Sequence, residues 1–292
     1  MPLHSDPREP ELSSSEAHNI CRHVLNRIGG RRYVPADLLK QLARDLNLPR
    51  EQVQAALRKL VAVGELAYTF EHGRTFIEPS FDRPVRVSGR IILTPPGQVF
   101  QARPGEAVLQ IMPGASFGAG RHPTTRLALK AIDFVLERDS ASLTGPGSRV
   151  LDIGTGSGVL VMAAVKLGIE AGWGVDIDPC AVAEAQANVD LNGLRGRIVV
   201  SDRAAETIEG RYTLVTGNLR TPTLARLAPY IAEYTAPRGV LVMSGIRTAE
   251  CDELRGAFEK RSFMVVWIEE EQEWSGLVMT KRPGGELKMF SK

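Results

Sequence analysis

In the larger, C-terminal part of the chain, short continuous apolar runs alternate with longer stretches in which apolar residues recur every three or four positions. The first pattern is typical of buried strands and the second of amphipathic helices. The runs of strand length lie near residues 149–153, 172–176, 197–201, 212–217 and 239–244. The helical stretches lie near residues 158–168, 179–192, 223–235 and 249–259. This alternation predicts an α/β fold, with a parallel sheet covered by helices on both faces.

The last two apolar runs break that alternation. Residues 263–268 and 275–280 follow each other with only an acidic turn between them. A short connection joins antiparallel strands, whereas parallel strands need a longer crossover. We therefore expect seven strands in one mostly parallel sheet, with the last strand reversed.

The N-terminal part has a different pattern, which predicts a small separate domain. Apolar residues fall on one helical face in residues 16–28, and two further helices are expected to begin at Pro35 and Pro49. Two strand-like runs joined by a tight turn, residues 66–70 and 75–77, predict a hairpin. Three short helices followed by a hairpin resemble a winged helix-turn-helix.

These patterns divide the chain into four segments. Residues 1–15 are polar and predict a disordered tail. Residues 16–81 form the winged-helix-like domain, and residues 82–110, rich in Pro and Gly, form a linker with strand character. Residues 111–292 form the larger domain.

Composition narrows the possible partners and compartment. The net charge is +2, and residues 1–83 carry 12 Lys and Arg against 11 Asp and Glu, so no strongly basic face for duplex nucleic acid is expected. The winged segment is therefore expected to be a protein-contact or packing module. Three widely spaced cysteines and no C-x-x-C favour a reducing cytoplasm and no metal site. No run of 18 apolar residues and no signal peptide is present, so no membrane association is expected.

The candidate chemistry begins where the first strand runs into a glycine-rich turn at residues 150–158, V-L-D-I-G-T-G-S-G. Glycines there allow a tight turn and let a ligand lie directly against the main chain. Asp176 ends the next strand, 22 positions after Gly154, where an acid can bind ribose hydroxyls. Val159 stands where a dinucleotide fingerprint needs its third glycine. The pattern predicts a nucleoside site without a pyrophosphate, and D-x-G-x-G-x-G resembles the first motif of S-adenosylmethionine methyltransferases.

A second loop, residues 113–125, contains a match to the G-x-S-x-G nucleophile motif around Ser116. An α/β-hydrolase, whose nucleophile lies in this motif, needs an acid and then a histidine after the serine in the chain. His122 is the only histidine beyond Ser116, and no Asp or Glu lies between the two. We therefore reject a hydrolase triad.

The loops together resemble one family. The chain carries P-G-x-x-F-G-x-G-x-H-x-T-T at residues 113–125, then the glycine turn, G-V-D-I-D-P at residues 174–179, and an Asn after the fourth strand. Residues 104–281 are similar to the bacterial methyltransferases of ribosomal protein L11. The resemblance implies a class I methyltransferase, with a Rossmann-like seven-stranded sheet, that uses S-adenosylmethionine. The residues that it assigns to cofactor binding are Phe117, Thr125, Gly154, Gly156, Gly158, Asp176 and Asn218.

The resemblance also implies a catalytic residue, Asn218, beside the transferred methyl group. Its side-chain or main-chain carbonyl would accept a hydrogen bond from the target amine; a turn residue that ends a strand is the structural alternative. Thr124 and Thr125 are alternatively caps of the following helix. Two substitutions depart mildly from the family, Ala119 and Gly217. The N-terminus departs more, since the family binds its ribosomal substrate through a small α/β domain there.

Three functions remain open. The favoured one is methyl transfer from S-adenosylmethionine to a protein amine, a lysine or an N-terminus, with a ribosomal protein as one candidate substrate. The second is an RNA or DNA methyltransferase docked through the winged segment, although residues 218–222, N-L-R-T-P, lack the N-P-P-Y-like motif of such enzymes. The third is a non-enzymatic regulator that binds S-adenosylmethionine. The sequence leaves the oligomeric state open.

Overall fold

The computed structural model describes residues 14–29, 31–71, 73–114 and 116–283. The chain divides into two compact units, and the boundary lies between Val85 and Arg86. The predicted disordered tail lies outside the described residues except for Ser14 and Ser15, where the first helix begins. The other predicted domain boundaries stay predictions.

The N-terminal unit contains three helices followed by a two-stranded antiparallel hairpin. Each apolar face predicted from the sequence turns inward, so that Val24, Leu38, Val53 and Ile77 are completely buried. An isolated bridge joins Tyr33 to Ile77. The identification of this unit as a winged helix stays a prediction. The elements are α1 (Ser14–Ile28), α2 (Pro35–Asp45), α3 (Arg50–Ala62), β1 (Leu66–Glu71) and β2 (Arg74–Pro79).

The segment that the sequence suggests as a linker, residues 82–110, carries three short strands that form one sheet. Ile91 and Ile92 are completely buried, and Arg90 forms a 2.6 Å ion pair with Asp133. The segment from Arg86 onward belongs to the larger compact unit. The strands are β3 (Val85–Arg86), β4 (Ile91–Thr94) and β5 (Ala107–Gln110).

The larger unit is built on a seven-stranded sheet, as the sequence predicts. The order of its strands is β11-β12-β10-β9-β6-β7-β8, and β12 runs antiparallel to both neighbours. The pairings from β10 to β8 are parallel. The predicted mostly parallel sheet with one reversed strand is therefore confirmed. The strands are β6 (Gly145–Ile153), β7 (Ile169–Val175), β8 (Ile198–Ser201), β9 (Tyr212–Asn218), β10 (Thr235–Arg247), β11 (Phe263–Glu271) and β12 (Trp274–Lys281).

Helices cover both faces of this sheet, as the alternating pattern requires. The helices α4 (Pro123–Arg138), α5 (Ser140–Leu143), α6 (Val159–Lys166), α7 (Pro179–Leu191), α8 (Thr221–Tyr234) and α9 (Cys251–Glu259) complete the unit. The core between the sheet and the pair α8–α9 includes Leu224, Phe258 and Phe263. Among the described residues, no helix is both long and apolar enough to cross a membrane. The carboxyl ends of β6, β7, β9 and β10 meet at one edge of the sheet, where the candidate residues are concentrated.

Candidate active site

The glycine turn connects β6 to α6 and keeps its main chain bare. Its first two N–H groups, of Gly154 and Thr155, donate to the carbonyl oxygen of Val175 at 2.8 and 3.0 Å. Gly156 has a φ of +53°, and a Cβ there would overlap the carbonyl oxygen of Phe117. A Cβ on Gly154 would lie 2.5 Å from a methyl carbon of Leu219. Only glycine fits at these two positions because the backbone is left-handed and other chain segments approach it closely.

Asp176 directly follows β7 and is bonded to the glycine turn. Its Oδ2 accepts a hydrogen bond from the N–H of Gly156 at 2.9 Å, and its Oδ1 accepts from the N–H of Asp178 at 3.1 Å. These two bonds orient a half-buried carboxylate toward the sheet edge. The next side chain, Ile177, is apolar yet 80% exposed. Sequence reasoning missed Ile177, although an apolar residue just past a strand end was visible.

A second carboxylate lies beneath the glycine turn. Asp152 is completely buried, and its two oxygens accept hydrogen bonds from the hydroxyls of Thr155 and Thr216 at 2.8 and 2.7 Å. Burial raises the pKa of Asp152 to about 6, because the charged form loses its hydration; the two threonine bonds oppose that rise and the nearby Asp176 adds to it. The Asp152 carboxyl, which lies next to the site, is therefore expected to exchange its proton near pH 6.

The loop at residues 116–122 covers the glycine turn. The N–H of Ser157 donates to the carbonyl of Phe117 at 2.9 Å, which fixes the two loops against each other. The amide of Asn188, on α7, accepts from the N–H of Met112 at 3.0 Å and donates to the carbonyl of Ser157 at 2.9 Å. Glu184, one turn earlier, accepts from the N–H of Ser116 at 3.0 Å. Sequence reasoning missed these two anchors because they lie on the inner face of a helix far along the chain.

Asn218 is the last residue of β9, and Thr125 lies in the first turn of α4. The Nδ2 of Asn218 is 3.5 Å from the hydroxyl of Thr125, which is completely buried. The Oδ1 of Asn218 is also buried and has no hydrogen-bond partner among the described residues. An unpaired buried acceptor is uncommon in proteins. The Asn218 amide therefore keeps one acceptor oxygen, at the carboxyl end of β9, that no described residue satisfies.

His122 is the residue that caps α4. Its Nδ1 accepts from the N–H of Thr124 at 3.3 Å and lies 2.8 Å from the Thr124 hydroxyl. The cap that the sequence suggested for Thr124 and Thr125 is thus supplied by His122. Asp178 caps α7, since it accepts from the N–H of Cys180 at 2.9 Å.

A row of aromatic rings borders the site. The rings of Phe117 and His122 have centroids 5.0 Å apart, and those of His122 and Trp274 are 5.2 Å apart, edge to face. The guanidinium of Arg247 lies 4.2 Å above the Trp274 ring. Phe117 remains 52% exposed, so its ring is available to a ligand.

The structure brings most of the sequence-predicted residues together. Phe117, Gly156 and Asp176 form one group, connected through the bonds described above. Gly154 is tied to a second group, Asn218 and Thr125, because Leu219 approaches it. Gly158 ends the same turn and faces α7, since a Cβ there would contact Ala185 at 3.3 Å.

No metal-binding cluster is found in the described part of the chain, where no three His, Cys, Asp or Glu side chains are grouped as ligands. The cysteines Cys21, Cys180 and Cys251 are all free thiols. The geometry therefore consists of main-chain groups, the half-buried acid Asp176, one amide and aromatic rings.

Comparison with known proteins gives a consistent result. A family model described as ribosomal protein L11 methyltransferase (PrmA) matches residues 79–282. A protein named ribosomal protein L11 methyltransferase from Geotalea uraniireducens is 38% identical over 200 residues, which cover 67% of this chain and 63% of that protein. A protein of the same name from Syntrophotalea carbinolica is 39% identical over 197 residues, covering 67% of this chain and 62% of the relative. The match therefore spans less than two thirds of these relatives.

Among solved structures, the ribosomal protein L11 methylase of Lactobacillus delbrueckii subsp. bulgaricus superimposes with a TM-score of 0.60 at 26% identity. The superposition covers 68% of this chain and 99% of that protein. The predicted Rossmann-like class I methyltransferase fold is thereby confirmed. The helices α1 to α3 lie outside the region that the family model matches.

Proposed function

The chain belongs to the family of ribosomal protein L11 methyltransferases, and from this premise we propose that it transfers a methyl group from S-adenosylmethionine to an amine of a protein, either a lysine or an N-terminus. A ribosomal protein is the first candidate substrate because the relatives are named for one. The reducing cytoplasm that the three sparse cysteines predict is part of the proposal.

The residues present fit S-adenosylmethionine. The glycine turn at Gly154 and Gly156 lets Leu219 and the main chain of Phe117 lie directly against it, and Asp176 offers a carboxylate fixed by two N–H groups. A ribose with two neighbouring hydroxyls suits such a carboxylate. Ile177 offers an exposed apolar surface for the adenine ring. Phe117, through its main chain, and Thr125 would cover the cofactor from the loop side.

The observation that carries the proposal is the unpaired Oδ1 of Asn218. When bound, the cofactor supplies an electrophilic methyl group together with its leaving group. The protein then has to align a neutral amine with that group, which is a matter of position more than of acid–base strength. An N–H bond from the amine to Asn218 Oδ1 would satisfy the buried acceptor and direct the nitrogen lone pair at the methyl carbon. The amine proton is released to solvent.

The test uses tritiated S-adenosylmethionine and a ribosomal protein fraction. If protease digestion removes the label from the macromolecules and nuclease digestion does not, the result supports the proposal. Label that disappears with nuclease supports the alternative of a nucleic-acid methyltransferase, and an absence of transfer despite cofactor binding supports a regulator.

The variant Asn218→Ala separates positioning from binding. We expect the rate of methyl transfer to fall by about 100-fold, because the orientation of the reactants is lost. The affinity for S-adenosylhomocysteine should change by less than about threefold, which corresponds to less than about 0.7 kcal/mol of binding free energy. Asn218→Asp retains an acceptor oxygen and is expected to retain more activity than Asn218→Ala. Equal activity of Asn218→Ala and the wild-type chain would rule out the assigned role.

A further inference from the structure

A buried ion pair lies directly behind the loop that covers the site. Arg126, in the first turn of α4, is completely buried, and Glu271, the last residue of β11, is 4% exposed. The guanidinium donates to Glu271 Oε1 from Nη2 at 2.5 Å and from Nε at 3.1 Å. Removing two charges from water costs free energy that their attraction often does not recover. The pair therefore suggests a role other than stability.

The same guanidinium also binds the covering loop. Its Nη1 donates to the carbonyl oxygen of Arg121, and the carbonyl of Gly120 lies 3.5 Å from the same nitrogen. These two carbonyls immediately precede His122, whose ring lies between those of Phe117 and Trp274. The position of Arg126 thus fixes the end of the loop at residues 116–122.

The partner carboxylate, Glu271, belongs to the segment that forms the opposite side of the site. Glu271 is the last residue before the β11–β12 turn, and that turn leads to Trp274, the first residue of β12. One ion pair therefore connects the covering loop to the segment that carries the Trp274 ring. Arg126 and Glu271 are 145 residues apart in sequence. Their two segments contribute the neighbouring rings of His122 and Trp274 to the border of the site.

A neighbouring ion pair provides a matched comparison. Lys130, one turn later on α4, binds Glu269 at 2.7 Å, and these side chains are 18% and 29% exposed. Lys130 also lies 3.9 Å from Glu271 Oε2. Both carboxylates are thus on β11 and both face cations of α4, but Glu271 is the one bonded to the guanidinium that holds the loop.

We propose that Arg126 and Glu271 are positioning residues, which hold the loop at residues 116–122 over the cofactor and against Trp274. This inference rests on the proposed function for the identity of the cofactor. Arg126 touches the loop main chain and acts on the reaction only through it. Removal of Glu271 frees the guanidinium to reorient, so the loop loses its fixed position even when the fold persists.

The test compares Glu271→Gln with Glu269→Gln in the full-length chain. The first measurement is the dissociation constant of S-adenosylhomocysteine by calorimetry. The second is the rate at which trypsin cuts the Arg121–His122 bond, whose carbonyl Arg126 binds. For Glu271→Gln we expect binding at least tenfold weaker and cleavage at least tenfold faster, and for Glu269→Gln changes of less than twofold.

A second variant covers the case in which Glu271→Gln fails to fold. Arg126→Met combined with Glu271→Leu replaces the pair by apolar side chains, which often restores stability, but it removes the bonds to the loop carbonyls. A folded double variant with wild-type binding and cleavage rates would overturn the inference, and so would Glu269→Gln behaving like Glu271→Gln. If the wild-type chain itself does not bind S-adenosylhomocysteine, the proposed function fails, whereas the cleavage rates still test the positioning role.

Discussion

The substitution Gly156→Ala tests the claim that bare main chain forms one side of the cofactor site. Gly156 has a φ of +53°, where a side chain costs about 1–2 kcal/mol. The added Cβ would also overlap the carbonyl oxygen of Phe117. The covering loop has to move away, and this movement breaks the Ser157–Phe117 hydrogen bond, which contributes about 1 kcal/mol. The expected loss of stability is thus about 2–3 kcal/mol.

Gly193→Ala is the matched control. Gly193 has a φ of +69°, close to that of Gly156, but a Cβ there would have no neighbour within 4 Å. It therefore has a similar backbone cost, about 1–2 kcal/mol, and no overlap. Its position, just beyond the end of α7, is away from the glycine turn.

Thermal unfolding and calorimetry with S-adenosylhomocysteine measure both effects. We expect Gly156→Ala to bind at least about tenfold more weakly, a loss of at least about 1.4 kcal/mol, and Gly193→Ala to bind like the wild-type chain. If both variants lose stability equally and both bind normally, the covering loop is not in contact with the ligand-binding turn, and our reasoning about the site is refuted.

Three further predictions concern two carboxylates of the larger unit and the N-terminal unit. Asp176→Ala should weaken binding of S-adenosylmethionine by about tenfold or more, because charge-assisted bonds worth about 1.5–3 kcal/mol are lost; unchanged calorimetric affinity would contradict the ribose role. Asp152 has a pKa of about 6 when folded against 3.8 as its ordinary value, so the native state binds more protons and stability falls as the pH rises from about 4 through 6. Relative to Asp152→Asn, the wild-type chain should lose about 3 kcal/mol of unfolding free energy over that window, and parallel pH profiles in denaturant titrations would refute the shift. Deletion of residues 1–81 should leave cofactor binding intact but reduce transfer to the protein substrate; a folded truncation that does not bind the cofactor would argue against independent modules.

Local patterns were sufficient for the sheet and for the glycine turn. The seven apolar runs match the seven strands because buried parallel strands are continuous apolar segments of the chain. The position of Asp176 could also be predicted, because the end of its strand and its distance from Gly154 can both be read along the sequence.

The support around the site could not be predicted from local patterns. Asp152 takes its high pKa from burial and from Thr216, 64 residues away on another strand. Arg126 looks like one basic residue of a surface helix, and only the pairing of β11 with β12 brings Glu271 beneath it. The separation of Arg126 and Glu271 along the sequence follows no fixed pattern, so neither residue predicts the other.

The segment at residues 82–110 shows how composition and packing can differ. Its Pro and Gly residues suggest a connection, yet Ile91 and Ile92 are buried in a small sheet. The apolar run at Ile91–Thr94 was visible, but a strand of four residues gives too short a pattern to predict a packed element.

The most direct measurement is calorimetric titration of the full-length chain with S-adenosylhomocysteine, with NAD as the comparison ligand. Our account predicts one site per chain for the sulfur nucleoside and no detectable heat with NAD, because Val159 stands where the dinucleotide fingerprint has its third glycine. A folded chain that binds neither ligand, or that binds NAD in preference, would contradict the central claim.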